Sequence, residues 1–201
     1  MLQITVEQIE KALEALEQGQ VILFPTETSY GLGCDATNVQ AVQRIFDMKG
    51  RSSAKGLPVL VASLEAAERE VELGDRARQL TERYWPGALN IISPVAQTAT
   101  ITDACHESGT QSVRMSSHPF TATLMRRFGK PLTATSANVS GQDGMYSVQN
   151  AEAVFAEQPD RPDVVIDAGV LPGKAASTTV RVIDDRVEII RQGSVVIDET
   201  L

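Results

Sequence analysis

Short apolar runs alternate with amphipathic segments over most of the 201 residues, and this pattern restricts the fold more than any other feature of the chain. Val6, Ile9, Leu13 and Leu16 recur at helical spacing, Thr5 and Gln8 stand where a capping box would open that helix, and Gly19 ends it. Residues 21–24 then read as a strand stopped by Pro25, and residues 39–48 as a second helix. Further strands are expected at 57–62, 89–93, 112–115 and 132–135, with helices at 64–71, 76–84, 119–128 and 147–157. The tail is richer in strands, at 164–167, 178–183 and 188–191, and Asp184-Asp185 supplies a hairpin turn between the last two. Strands that interleave with helices and then finish among strands predict an α/β fold whose sheet is mixed rather than purely parallel. Residues 158–162 are the nearest thing to a linker, and a surface loop accounts for them as well. One domain over 1–201, with its core at about 5–195, is the expectation for a chain of this length.

Composition narrows the class of function. Hydrophobic residues make up 42% and charged residues 22%, proportions typical of a folded globular chain. The net charge of −8 argues against a surface broadly adapted to duplex nucleic acid or anionic lipid, although it leaves room for a local basic pocket. No apolar run reaches the roughly 18 residues that cross a bilayer, and the N-terminal segment lacks the basic-then-apolar order of a secretion signal. A cytoplasmic protein with no membrane partner is expected. Cys34 and Cys105, with His106 and His118, are too few for a disulfide framework or a zinc centre. No metal site is therefore expected of the chain itself, and a metal would arrive with a nucleotide.

Several catalytic signatures are absent: there is no G-x-G-x-x-G, C-x-x-C, H-E-x-x-H or G-x-S-x-G. Gly169 to Lys174 resembles a Walker loop only superficially, because its spacing is one residue short and Ala175 replaces the magnesium-binding hydroxyl. A glycine turn explains it better.

Three blocks remain. Phe24-Pro-Thr-Glu-Thr-Ser-Tyr-Gly-Leu-Gly-Cys-Asp-Ala36 leaves a strand carrying hydroxyls at Thr26, Thr28, Ser29 and Tyr30, with Gly31 and Gly33 permitting close backbone approach to a ligand. Its composition fits a capped turn equally well. Lys49-Gly-Arg51-Ser-Ser-Ala-Lys55 gathers three cations at a helix end. They could simply oppose the helix dipole, but in so acidic a chain a triphosphate is the better reason to concentrate them. Thr133-Ala-Thr-Ser136-Ala-Asn138-Val-Ser140-Gly141 follows an apolar strand, where small hydroxyl and amide groups suit the ligand crevice of an open α/β sheet. Helix capping would use only one or two of them. Arg114 and Arg191 each end a strand-like run and are able to face the same crevice or solvent.

Taken in order, FPTETSYGLGCDA, KGRSSAKGLP, YWPGALNIIS, SVRMSSHP, PLTATSANVSG, ASTTVRV and IIRQGSV resemble the YrdC/Sua5 family over about residues 21–195. The resemblance implies a twisted open mixed sheet flanked by helices, with a large concave, positively charged cavity. It also implies a nucleotidyltransferase that makes threonylcarbamoyl-AMP and pyrophosphate from L-threonine, bicarbonate and ATP for tRNA modification, with Mg2+ carried by the ATP. Thr26 and Tyr30 would lie near threonine, and Arg114 near its carboxylate or carbamate. Lys49 and Arg51 would serve catalysis and, with Lys55, hold the phosphates. Ser136 and Asn138 would contact nucleotide and intermediate, and Ser177 and Arg191 would close the far wall. A downstream threonylcarbamoyl transferase complex would take the product.

The family's pattern is not matched everywhere. Ser52 stands where many members have proline, Ala176-Ser-Thr-Thr-Val-Arg181 replaces a commoner E-S-T-V-V-D, and the extra C-terminal domain of longer Sua5 members is not expected. Two other readings belong to the same resemblance. A module that binds double-stranded RNA or tRNA without synthase activity would use the cavity's charge alone, which the net charge of −8 disfavours as a sole role. Carbamoyl transfer, as in hydrogenase-maturation proteins with a YrdC-like domain, accompanies zinc-finger cysteines that this chain lacks.

Overall fold

A computed structural model describes residues 5–50, 55–138, 145–156, 158, 160–173 and 175–198. The chain opens with helix α1 (Val6–Glu17), and Thr5 and Gln8 form the reciprocal capping box expected of them. Strand β1 (Ile22–Pro25) follows, then β2 (Tyr30–Gly33), which was hidden in the polar segment after Pro25. Helix α2 (Val39–Lys49) is capped by the Asn38 side chain and ends at Gly50, whose φ of 55° is the left-handed conformation glycine adopts most easily.

Next come β3 (Val59–Leu60), α3 (Leu64–Glu70), α4 (Asp75–Tyr84), β4 (Leu89–Pro94), β5 (Thr110–Arg114) and α5 (Pro119–Phe128). The run expected as one strand at 132–135 divides into β6 (Leu132–Thr133) and β7 (Thr135–Ser136). Helix α6 (Val148–Ala156), β8 (Val164–Val165), β9 (Thr178–Ile183) and β10 (Arg186–Arg191) complete the order. Asp184 and Asp185 turn the last hairpin with φ of 49° and 57°, the positive pair that a two-residue turn of the primed kind requires.

Two mixed sheets result. One runs β7-β2-β1-β8 and the other β10-β9-β4-β5-β3-β6. Because alternate residues of a strand face opposite ways, Val21 and Leu23 enter one apolar cluster with α2 residues such as Ile45 and Phe46. Ile22 and Phe24 enter another, with Leu13 and Leu16 of α1 and Phe120 and Leu124 of α5. Strand β1 is thus covered on both faces, which explains its unbroken apolar run.

The division at Ala134 has a functional consequence. The chain leaves the six-stranded sheet at Thr133 and joins the four-stranded sheet at Thr135, so the two sheets meet there and splay apart around a hollow. Where described, at 158 and 160–162, the expected linker is a surface loop pinned to α2. Arg44 donates to Asp160 through Nε at 3.0 Å and Nη2 at 2.8 Å, and Nη1 reaches Asp163 at 2.8 Å.

Candidate active site between the two sheets

The hollow is a cavity of about 500 Å³, within the range of small-molecule sites. The first sheet supplies Thr26, Tyr30, Ser136 and Asn138, and the second supplies Asn90, Ser112, Arg114, Thr179 and Arg181. Ser177, just before β9, and Arg191, the last residue of β10, close one side. Seven of the residues singled out in the sequence therefore share one wall system: Thr26, Tyr30, Arg114, Ser136, Asn138, Ser177 and Arg191.

Thr26 starts the turn between β1 and β2. Its hydroxyl donates to the Ser29 carbonyl at 2.7 Å and accepts from the Thr28 and Ser29 amides at 3.3 Å, which holds the turn in one shape. Tyr30 borders the cavity but is fully buried, and its hydroxyl donates to Gly169 O at 2.8 Å and accepts from the Ala168 amide at 2.9 Å. Burial raises the pKa of this phenol. Tyr30 thus borders the cavity from the buried core, while its oxygen ties β2 to the 168–169 loop.

The glycine pair behaves differently from expectation. A Cβ on Gly33 would lie 2.6 Å from Thr133 O and 2.7 Å from the Phe24 ring, and one on Gly31 would lie 3.2 Å from Thr135 O. The close approach they permit is to the neighbouring backbone and core, although Gly31 also borders the cavity. Similarly, the Walker-like segment is a turn whose Gly169 and Gly173 have φ of 76° and 64°, and Lys174 lies outside the described residues.

Lys49 is 3% exposed and sits behind the wall rather than on it. Its ammonium donates to Ser136 O at 2.5 Å, Asn138 O at 2.6 Å and Asn138 Oδ1 at 3.3 Å, and Ser136 Oγ in turn bonds Asn138 Oδ1. A cation expected among the phosphates instead organises the loop that presents Ser136 and Asn138. Lys55 is exposed and is not part of the wall, and Arg51 lies outside the described residues together with Ser52, Ser140 and Gly141.

Arg114 is the cation most firmly built into the cavity, only 6% exposed. Its Nη1 donates to Glu27 Oε1 at 2.6 Å and to Ser177 Oγ at 3.0 Å. Burial lowers its pKa, and the Glu27 carboxylate opposes that shift. Glu27 also accepts from Ser116 Oγ at 2.5 Å, and the same hydroxyl accepts from the His118 amide at 3.2 Å. Arg191 is exposed and lies over Ser177, donating to its carbonyl from Nε at 3.1 Å and Nη2 at 2.8 Å. Arg181 pairs with Glu188 at 2.8 Å across the hairpin.

Glu27 and Ser116 escaped the sequence reading, and Arg181 entered it only as a departure from the family pattern. Each adjoins a residue or motif that was read, but their pairings link separate strands that no local pattern connects. Neither thiol is poised as a nucleophile: burial pushes Cys34 up to about 12 and Cys105 up to about 11. Among the described residues no group of three or more His, Cys, Asp or Glu is placed to hold a metal ion, and no helix is long and apolar enough to cross a membrane.

The family model Sua5_yciO_yrdC, described as telomere recombination, matches residues 14–193. The threonylcarbamoyl-AMP synthase of Bacillus subtilis strain 168 is 35% identical over 189 residues, covering 94% of this chain and 54% of its own. The protein of the same name from Vibrio vulnificus strain YJ016 is 33% identical over 192 residues, covering 94% of this chain and 100% of its own. The structure of P. abyssi Sua5 complexed with L-threonine superposes with a TM-score of 0.85 at 30% identity, covering 96% of this chain and 56% of that one. The chain thus spans about half the length of the Bacillus and P. abyssi proteins and the full length of the Vibrio one.

Proposed function

The chain belongs to the Sua5/YciO/YrdC family, and from that premise we propose that it is an adenylate-forming enzyme, a threonylcarbamoyl-AMP synthase using L-threonine, bicarbonate and ATP. The observation that carries the reading is Arg114: a buried guanidinium on a cavity of about 500 Å³ whose lining also includes hydroxyls, amides and two further arginines, Arg181 and Arg191. Such a wall suits a small hydroxylated amino acid carboxylate beside a nucleotide.

In the proposed reaction the neutral amine of threonine adds to carbon dioxide derived from bicarbonate, and the nitrogen's proton is lost as the carbamate forms. A carbamate oxygen then attacks the α-phosphorus of ATP, the bond from that phosphorus to the β-phosphate bridging oxygen breaks, and pyrophosphate leaves. No covalent enzyme intermediate is needed. The protein's work is to bring two anions together and to stabilise the charge that shifts between them, which arginine, lysine and aligned hydrogen-bond donors do without a nucleophile.

Arg114 and Ser177 would hold the carboxylate or carbamate, with Thr26 and Tyr30 beside the amino acid. Ser136, Asn138 and Arg191 would contact the nucleotide, and Arg51 and Lys55 are proposed for its phosphates. Lys49 would act through the Ser136–Asn138 loop. Mg2+ would come with ATP as part of the substrate. In the cytoplasm the unstable product would pass to a transferase that modifies tRNA.

The test is capture of the product. Incubation with ATP, threonine and isotopically labelled bicarbonate, followed by mass spectrometry, should yield labelled threonylcarbamoyl-AMP. Hydrolysis of ATP to ADP alone, or RNA binding with no labelled adenylate, contradicts the reading.

A further inference from the structure

We propose that Glu27 is a positioning residue, which holds Arg114 so that the unshared edge of its guanidinium faces the cavity. The inference rests on the proposed function only for the identity of the anion, the carboxylate of threonine.

Arg114 spends one nitrogen on protein partners. Nη1 makes both bonds, to Glu27 and Ser177, and Nε and Nη2 donate to no protein acceptor among the described residues. Those two nitrogens form the planar edge that matches a carboxylate in a bidentate pair. Arg114 also lines the cavity, so the edge is the part of a buried cation left to a ligand. An arginine has several rotatable bonds, and such an edge is useful only if something fixes its direction.

Glu27 is built for that task. Its Oε1 takes Arg114 at 2.6 Å and its Oε2 takes Ser116 at 2.5 Å, so both oxygens are engaged and the carboxylate is fixed at two points. Its backbone belongs to the turn that Thr26 locks. The pair also joins the four-stranded sheet's turn to the end of β5, so it ties the cavity's two walls at the place where the anion would sit.

Glu27→Gln keeps the volume and removes the charge, Glu27→Asp keeps the charge on a shorter arm, and Glu27→Ala removes both. Three readouts separate positioning from simple structural support: threonine KM against ATP KM, the melting temperature, and the Arg114 Nε–H resonance in a proton–nitrogen correlation spectrum. The expected result for Glu27→Gln is a threonine KM raised about 10- to 100-fold, as loss of a charged hydrogen bond implies. ATP KM should hold, the Arg114 resonance should move or broaden, and Glu27→Asp should recover part of the loss. Wild-type threonine KM and an unmoved Arg114 resonance in folded Glu27→Gln would overturn the proposal. If the wild-type protein releases no pyrophosphate with threonine, the functional reading fails by itself. The resonance then still decides the positioning role, a moved signal supporting it and an unmoved one refuting it.

Discussion

The ammonium of Lys49 donates to the carbonyl oxygen of Ser136 at 2.5 Å, although the two residues stand 87 positions apart. One is the last residue of α2 and the other the last of β7. The contact converts a helix end into the support of a binding loop, since the same ammonium also holds Asn138. Lys49→Met, which keeps the stem and removes the donors, should lower pyrophosphate release about 10²- to 10³-fold, the range for loss of one oriented donor group in an active site. It should also destabilise the protein by about 3 kcal/mol through loss of charge-assisted hydrogen bonds. Turnover assays and thermal melts check both effects, and unchanged turnover would place the loop's support elsewhere.

Gly33 offers a purely steric test. A methyl group there would meet Thr133 O and the Phe24 ring within 2.7 Å, in a region with no space to yield. Gly33→Ala should cost about 1–3 kcal/mol, as overpacking does, and should weaken ligand binding because β2 also carries Tyr30 and Gly31 on the cavity wall. Urea unfolding gives the stability change. A variant as stable as the wild type would mean that β2 and β6 do not approach as described.

Arg181 occupies the cavity wall where the family resemblance leads one to expect an acidic residue. Its partner Glu188 is 63% exposed, and exposed ion pairs contribute only about 0–1 kcal/mol. Arg181 is therefore free to exchange that partner for a phosphate. Arg181→Ala should raise ATP KM several-fold with threonine KM unchanged, whereas a rise confined to threonine would put the amino acid on this wall instead. Steady-state kinetics with each substrate varied in turn distinguishes the two.

Burial holds His106 and His118 below their ordinary pKa of 6.5, against the opposing pull of Asp103 and Glu70 on the first and Glu27 on the second. The unfolded chain consequently binds more protons than the folded one as pH falls through about 6.5, so stability must fall in that direction. It is fully present above pH 6.5 and is lost progressively down to the depressed folded-state values. Glu10 and Asp160, also depressed, act in the more acid range below their ordinary 4.5 and 3.8. Melting temperatures should drop between about pH 7.5 and 5.5, and His118→Gln should flatten that drop. An equally steep drop in His118→Gln would remove His118 from the account.

Much of this architecture could be read from local pattern. The capping box at Thr5 and Gln8, helix α5 from Pro119 to Phe128, and strand β9 at 178–183 appear where periodicity and end signals put them. Strand β2 was missed because its YGLG sequence looks like a turn, and only the register against Phe24 and Leu23 makes it a strand. The split of 132–135 was also beyond local reading, since a single residue, Ala134, separates pairings to two different sheets.

The site shows the same division. Hydroxyl-rich motifs and strand-end arginines led to Thr26, Arg114, Ser136, Asn138 and Arg191, and the family resemblance added Ser177, all on one cavity. The direction each side chain takes was not legible. Lys49 turns inward to carbonyls, the Tyr30 hydroxyl turns to Gly169, and Glu27 becomes important through Arg114, all contacts set by tertiary packing rather than by sequence neighbours.

A single cavity that holds a small hydroxylated amino acid against a nucleotide should couple pyrophosphate release to that amino acid. Incubating the protein with ATP, bicarbonate and each of the common amino acids in turn, and measuring pyrophosphate, tests it most directly. Threonine should stimulate release far above every other amino acid, and omission of bicarbonate should abolish it. Equal release with all amino acids, or none with any, would contradict the account.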